Sequence, residues 1–164
     1  MLIKLENFVS KDIIDRCDNW IKKYPKDQKR SAVIELLKIV QQSNNGYLNE
    51  QLINSVADYL SIPAIYAYEV VTFYSMFDME ETGRYKIYFC VSISCMLCGA
   101  DSMLDFIKKK LNIQVNETTY DKKFTLKKAE CLAACGGAPV MLIGEKYYEN
   151  LTVDKINYIL DSLE

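Results

Sequence analysis

The chain of 164 residues contains no histidine, so any metal or redox centre in it is built without imidazole. It also lacks a marked charge of either sign: the formal net charge of −2 gives no reason to expect nucleic acid as a partner. Lys108-Lys109-Lys110 is a short basic run at the end of a predicted helix, where the helix dipole favours cations. Long apolar runs are missing. The longest stretches without a charged side chain, residues 87–100 and 131–144, are 14 residues each, too short to cross a bilayer. The segment Met1-Leu2-Ile3-Lys4-Leu5-Glu6 has no apolar core of a secretion signal. A reducing compartment, the cytoplasm, is therefore expected, with no direct membrane insertion. In that setting six cysteines point to metal or redox chemistry before structural disulfides.

Four of those cysteines fall in two tight pairs. Four residues separate Cys90 from Cys95, three separate Cys131 from Cys135, and 35 lie between the pairs. Each pair lies inside one of the two uncharged stretches. Thiolates clustered in dry surroundings hold soft metals, above all iron–sulfur clusters.

The first half reads as helices. Residues 12–23 form one that ends before Pro25, and residues 31–42 carry an apolar face of Ala32, Val33, Leu36, Leu37 and Val40. Asn44-Asn45-Gly46 stops that helix. Asn49 caps the next, whose apolar face is Leu52, Ile53, Val56, Ala57 and Leu60. Pro63 suits a first helical residue, and an aromatic segment runs on to Phe77. Four short helices with short connections suggest a small bundle over residues 1–80. Within the aromatic segment, Tyr66, Tyr68, Phe73, Tyr74, Met76 and Phe77 suit either bundle packing or a docking surface, and helical spacing favours packing.

The acidic stretch 78–84, ending Gly83-Arg84, marks a boundary, and the pattern then changes. Tyr85 to Val91 reads as a strand, 99–111 as a helix, 124–129 as a strand. Residues 140–143 and 146–149 form a hairpin, and Thr152 caps a last helix with the stripe Val153, Ile156, Leu160 and Leu163. The order β-α-β, hairpin, α over residues 84–164 is that of a thioredoxin-like core. The fold class is thus α+β: a helical bundle followed by a thioredoxin-like domain.

Three chemistries compete for the thiols. A [2Fe–2S] cluster needs two cysteines at each iron, which two close pairs supply. Cys90 ends a strand, Cys95 lies in the loop before a helix, Cys131 follows a strand, and Cys135 opens Gly136-Gly137-Ala138-Pro139. Those strand ends bring both loops to one edge of the sheet. Structural zinc is the second possibility, at marginal spacing. The third is dithiol redox chemistry at Cys95-Met96-Leu97-Cys98, a C-x-x-C between strand and helix with Pro139 before a later strand. On spacing alone Cys90, Cys95 and Cys98 plus one of the later pair also match a plant-type ferredoxin opening, so five cysteines compete for four positions. Cys17, alone in the first helix, reads as a small buried apolar residue. Glu130 is the nearest carboxylate to the expected site, and a solvent-facing side chain is the simpler reading.

The stretch Cys90-Val-Ser-Ile-Ser-Cys95-Met-Leu-Cys98-Gly-Ala-Asp resembles the first cluster motif of the thioredoxin-like [2Fe–2S] ferredoxins, the family of the 24-kDa subunit of respiratory complex I. Phe124-Thr-Leu-Lys-Lys-Ala-Glu-Cys131-Leu-Ala-Ala-Cys135-Gly-Gly-Ala-Pro139 resembles the second. Ser31-Ala-Val-Ile, Tyr68 to Phe77 and Tyr147 to Thr152 are similar to further family signatures, so the likeness runs from about residue 20 to the C-terminus. The resemblance implies a [2Fe–2S] cluster on Cys90, Cys95, Cys131 and Cys135. Cys98 occupies a position commonly arginine in the family, and Ala133 one commonly glycine. It further implies an electron-transfer subunit of an NADH-quinone oxidoreductase, beside a flavoprotein that oxidises NADH through FMN, with other peripheral-arm subunits as neighbours. Such a complex would be peripheral to the inner membrane. Soluble NAD-linked hydrogenases and formate dehydrogenases use related subunits. The chain has no G-x-G-x-x-G, no P-loop and no other nucleotide signature, so it is expected to bind neither NADH nor FMN by itself.

Overall fold

The structure, a computed structural model, describes residues 4–163. The chain divides into two compact units, Met1–Glu81 and Thr82–Glu164. The domain limits expected from sequence, 1–80 and 84–164, include residues 1–3 and 164, which lie outside the described residues.

The first unit is helical. Among the described residues its α-helices are α1 (Lys11–Ile21), α2 (Val33–Ser43), α3 (Glu50–Leu60) and α4 (Ala64–Phe73), with 3-10 turns at Leu5–Asn7 and Lys29–Ala32. The 3-10 turn takes the first residues of the helix expected at 31–42, so the α-helix proper starts at Val33. The Asn49 side chain accepts a hydrogen bond from the Leu52 N–H at 2.9 Å, satisfying a donor that α3 leaves open at its start. Pro63 stands one position before α4 and not within it, and α4 ends at Phe73, short of the expected Phe77. Leu36, Leu37, Ile53 and Val56 are completely buried, as is Cys17. Burial pushes the Cys17 thiol up to about 11, which leaves it a neutral packing residue. Buried Gln41 donates to the Met76 carbonyl at 3.0 Å and accepts from the Asp78 N–H at 2.8 Å, fixing the chain beyond α4.

The second unit carries a mixed four-stranded sheet in the order β2-β1-β3-β4. The strands are β1 (Tyr85–Cys90), β2 (Phe124–Ala129), β3 (Met141–Ile143) and β4 (Lys146–Tyr148). β1 pairs parallel with β2 and antiparallel with β3, and β3–β4 is the expected hairpin, shorter by one residue at each outer end. Between β1 and β2 lie α5 (Ile93–Leu97) and α6 (Ala100–Leu111), and α7 (Val153–Ser162) closes the chain. Ile87, Phe89, Leu104, Ile107, Leu126, Met141, Ile156 and Leu160 form the core that joins the sheet to α6 and α7. Each such side chain contributes roughly 1.5–3 kcal/mol by leaving water. The Thr152 hydroxyl accepts from the Lys155 N–H at 3.1 Å, the cap expected from sequence. The stripe of α7 differs in part. Val153 is exposed in the first turn, and Ile159 takes a core position beside Leu160.

Gly83 has a packing duty beyond breaking a helix. A Cβ there would come within 2.7 Å of the Phe124 backbone carbon, and its N–H donates to the Thr125 hydroxyl at 2.6 Å.

Candidate functional site: a cysteine centre at the ends of two parallel strands

The register of β1 and β2 decides where the thiols go. Cys90 pairs with Ala129, and because the strands are parallel both chains leave the sheet at the same end. Cys90 is the last residue of β1, and Cys131 follows β2 by two positions. The expected placement of both loops at one end of the sheet is therefore observed.

Cys95 differs from its expected place. It lies on α5, a five-residue helix, and not in a loop. Ser92 stands at the start of that helix, yet its hydroxyl does not cap it; it lies 3.5 Å from the Cys90 sulfur. A serine just before an apolar helical turn is the signal in the sequence that could have found α5. Cys90 and Cys95 are 2% and 1% exposed, whereas Cys131 and Cys135 are exposed.

For Cys90, burial opposes the thiolate, but hydrogen bonds from Ser92, from the Leu132 backbone N–H and from the Cys95 thiol outweigh it and hold Cys90 below the ordinary thiol range. For Cys95, burial comes first and the Cys90 sulfur adds to it, so its thiol is pushed up despite a backbone hydrogen bond from Val140.

Backbone hydrogen bonds bring the two loops together. The Cys90 N–H donates to the Val140 carbonyl at 3.1 Å and the Val91 N–H to the Ala129 carbonyl at 3.0 Å, so the end of β1 is tied to residues on both sides of the second cysteine pair. Within the second loop the Ala133 N–H donates to the Cys131 sulfur at 3.3 Å. A backbone N–H directed at sulfur is the kind of contact that stabilises a thiolate ligand and tunes a metal centre. Ala133 adopts φ +56°, in the left-handed region where glycine is at ease. Cys135 opens a 3-10 turn, Cys135–Gly137, and a cis peptide joins Ala138 to Pro139. Gly137 is pressed against Glu149: a Cβ there would lie 2.6 Å from the Glu149 Cβ. Glu130 is exposed, in keeping with a solvent-facing carboxylate.

Among the described residues, no three Cys, Asp or Glu groups converge as a single metal ion requires. A tetrahedral zinc needs its ligands at one point. A two-iron cluster needs only two thiolates at each iron, and two neighbouring pairs on facing loops suit that demand. The donor chemistry fits a [2Fe–2S] group: cysteine sulfurs in two pairs, with the Ala133 N–H directed at one of them.

The dithiol alternative fits poorly. Thioredoxin-type activation places the attacking thiol at a helix N-terminus. Here Cys95 is buried inside α5 with a raised thiol, and Cys98 is the exposed residue just beyond that helix.

Comparison with known proteins agrees with this chemistry. A subunit of the NADH-quinone oxidoreductase of Rickettsia conorii is 44% identical over 165 residues, covering 100% of this chain and 99% of the relative. NADH dehydrogenase [ubiquinone] flavoprotein 2, mitochondrial, of Dictyostelium discoideum is 37% identical over 96% of this chain and 64% of its own length. Among solved structures, an NAD+-reducing [NiFe]-hydrogenase in its H2-reduced state shares the fold with a TM-score of 0.70 at 18% identity; the match covers 80% of this chain and 22% of that one. Residues 17–164 match the thioredoxin-like [2Fe-2S] ferredoxins. The chain belongs to that family, and its cofactor is a [2Fe–2S] cluster.

Proposed function

We propose that the chain is the electron-carrying subunit of an NADH-quinone oxidoreductase, with the cluster held by Cys90, Cys95, Cys131 and Cys135. Full-length similarity to a Rickettsia subunit of such an oxidoreductase supports the first part. The observation that carries the second is the parallel pairing of Cys90 with Ala129, two residues before Cys131, with the Cys90 N–H donating to the Val140 carbonyl at 3.1 Å.

When bound, the cluster supplies storage of one electron at a time. The chain's own residues do the rest. Parallel strands deliver both loops to one place. Burial of Cys90 and Cys95 excludes water from one side, and the Ala133 N–H is directed at the Cys131 sulfur, where it would stabilise negative charge. Cys98 stays outside the ligand set. The partner in this reading is a flavoprotein subunit that binds NADH and FMN, with other peripheral-arm subunits completing the complex. No helix among the described residues is long and apolar enough to cross a membrane. A cytoplasmic position, peripheral to the inner membrane, belongs to the same proposal. So does the division of labour between an N-terminal helical domain and a C-terminal cluster domain.

The test is spectroscopic and then biochemical. The protein reconstituted anaerobically with iron and sulfide is expected to be coloured, to bind two irons per chain, and to give a rhombic EPR signal after dithionite. It is then expected to co-purify with an FMN-containing subunit. A colourless, iron-free product would remove the proposal.

A further inference from the structure

α5 begins at a serine that does not cap it. Ser92 has the extended backbone of a helix start, φ −66° and ψ 164°, and its carbonyl accepts the Met96 N–H at 2.9 Å. At the starts of α3 and α7 the Asn49 and Thr152 side chains each accept a backbone N–H of the first turn. The Ser92 side chain makes no such bond. Its Oγ lies 3.5 Å from the Cys90 Sγ, with the thiol donating. Cys90 is buried and Ser92 half-buried, both within the uncharged stretch 87–100. A hydrogen bond counts for more in such surroundings than in water.

Resting on the proposed function, and within it on Cys90 as a ligand, we propose that the Ser92 hydroxyl raises the reduction potential of the cluster by acting through the Cys90 sulfur. A ligand cysteine is a thiolate without a proton, so the bond reverses: the hydroxyl donates and the sulfur accepts. A donor aimed at a ligand sulfur offsets negative charge, and the reduced state carries one negative charge more than the oxidised one. The hydroxyl therefore stabilises the reduced state more, and the electron is accepted at a higher potential. One electron enters, from the flavoprotein in the complex or from dithionite in the test. No bond forms or breaks, and the proton stays on the serine oxygen. Ser92 is thus a positioning residue, since it touches a ligand and not the reacting irons.

The experiment is a redox titration of the cluster-loaded full chain, followed by EPR. Ser92→Ala should lower the midpoint potential, so that the reduced-to-oxidised ratio at a fixed poise falls about tenfold, about 59 mV for one electron. Ser92→Gly should fall equally, because glycine serves a helix start almost as well as serine but gives the sulfur no donor. Ser92→Thr keeps the hydroxyl and should restore the wild-type potential. Ser94→Ala removes an exposed hydroxyl from the same turn and should leave the potential unchanged. The Fe–Sγ stretching bands in resonance Raman should shift in Ser92→Ala and not in Ser94→Ala. A potential that stays or rises in Ser92→Ala and Ser92→Gly, with the cluster present, overturns the proposal and leaves the proposed function standing. So does a fall in Ser92→Ala that glycine restores, which marks the serine as a helix cap only. Loss of the cluster from both variants overturns it as well, because a tuning residue is dispensable for assembly. A cluster that survives Cys90→Ala overturns this proposal and the ligand set together.

Discussion

Cys90 and Cys95 are 2% and 1% exposed, one ending a paired strand and one inside a helical turn, whereas Cys131 and Cys135 are exposed on a connection built from turns. The first pair is positioned by the same packing that makes the core: Phe89 beside Cys90 is fully buried, and so is Ala100, where α6 begins just beyond α5. The second is positioned by backbone geometry, through a left-handed Ala133, a 3-10 turn and a glycine pressed on Glu149. Two routes thus lead to the same chemistry. A sulfur can be held by burial, which costs little for cysteine, or by loop dihedrals that leave it open to solvent.

The largest test of that contrast removes the sulfurs one at a time. Alanine at Cys90, Cys95, Cys131 or Cys135 should abolish or severely weaken the cluster's visible absorption. The apo proteins should then diverge. Cys95→Ala should cost on the order of 1 kcal/mol in urea unfolding, because a buried group leaves a void. Cys131→Ala should stay within about 0.5 kcal/mol of wild type. Equal losses would erase the distinction between the loops.

The adjacent glycines of the second loop sharpen it further. Gly137→Ala should destabilise by roughly 1–3 kcal/mol by overpacking against Glu149. Gly136→Ala should lie within about 0.5 kcal/mol, since nothing stands within 4 Å of a Cβ there. Thermal melts of the two apo variants decide it. A smaller effect of opposite sign is expected at Ala133. Glycine there should relieve the left-handed backbone and stabilise the protein by about 0.5–1 kcal/mol, read as a rise in Tm. Smallest of all, Cys98→Ala should leave the absorption and EPR spectra unchanged. Loss of colour in that variant, with colour retained in Cys131→Ala, would replace the ligand set with one built on Cys98.

Much of this is legible in the chain. Strong periodicity locates α2, α3 and α6, and Asn49 and Thr152 mark helix starts because a side-chain oxygen satisfies an open N–H in each. The uncharged stretches locate both cysteine loops. Other features leave weaker traces. α5 is too short for a helical period, and its Ser92 bonds to sulfur instead of capping. Aromatic density carries the expected α4 on to Phe77, while the backbone there is fixed by Gln41, distant in sequence. Spacing does not rank Cys98 against Cys131, since which sulfur meets which depends on strand pairing.

That pairing has a last consequence. With Cys90 opposite Ala129, the distance along the second chain to Cys131 is counted off in residues from a fixed mark. Deleting one residue from β2 would turn its core-facing side chains outward and shift the next thiol out of step, whatever the composition of the loop. The six-residue strand therefore acts as a ruler. An exchange of side chain at a loop position such as Ala133 leaves that count intact, whereas any change in the length of β2 does not.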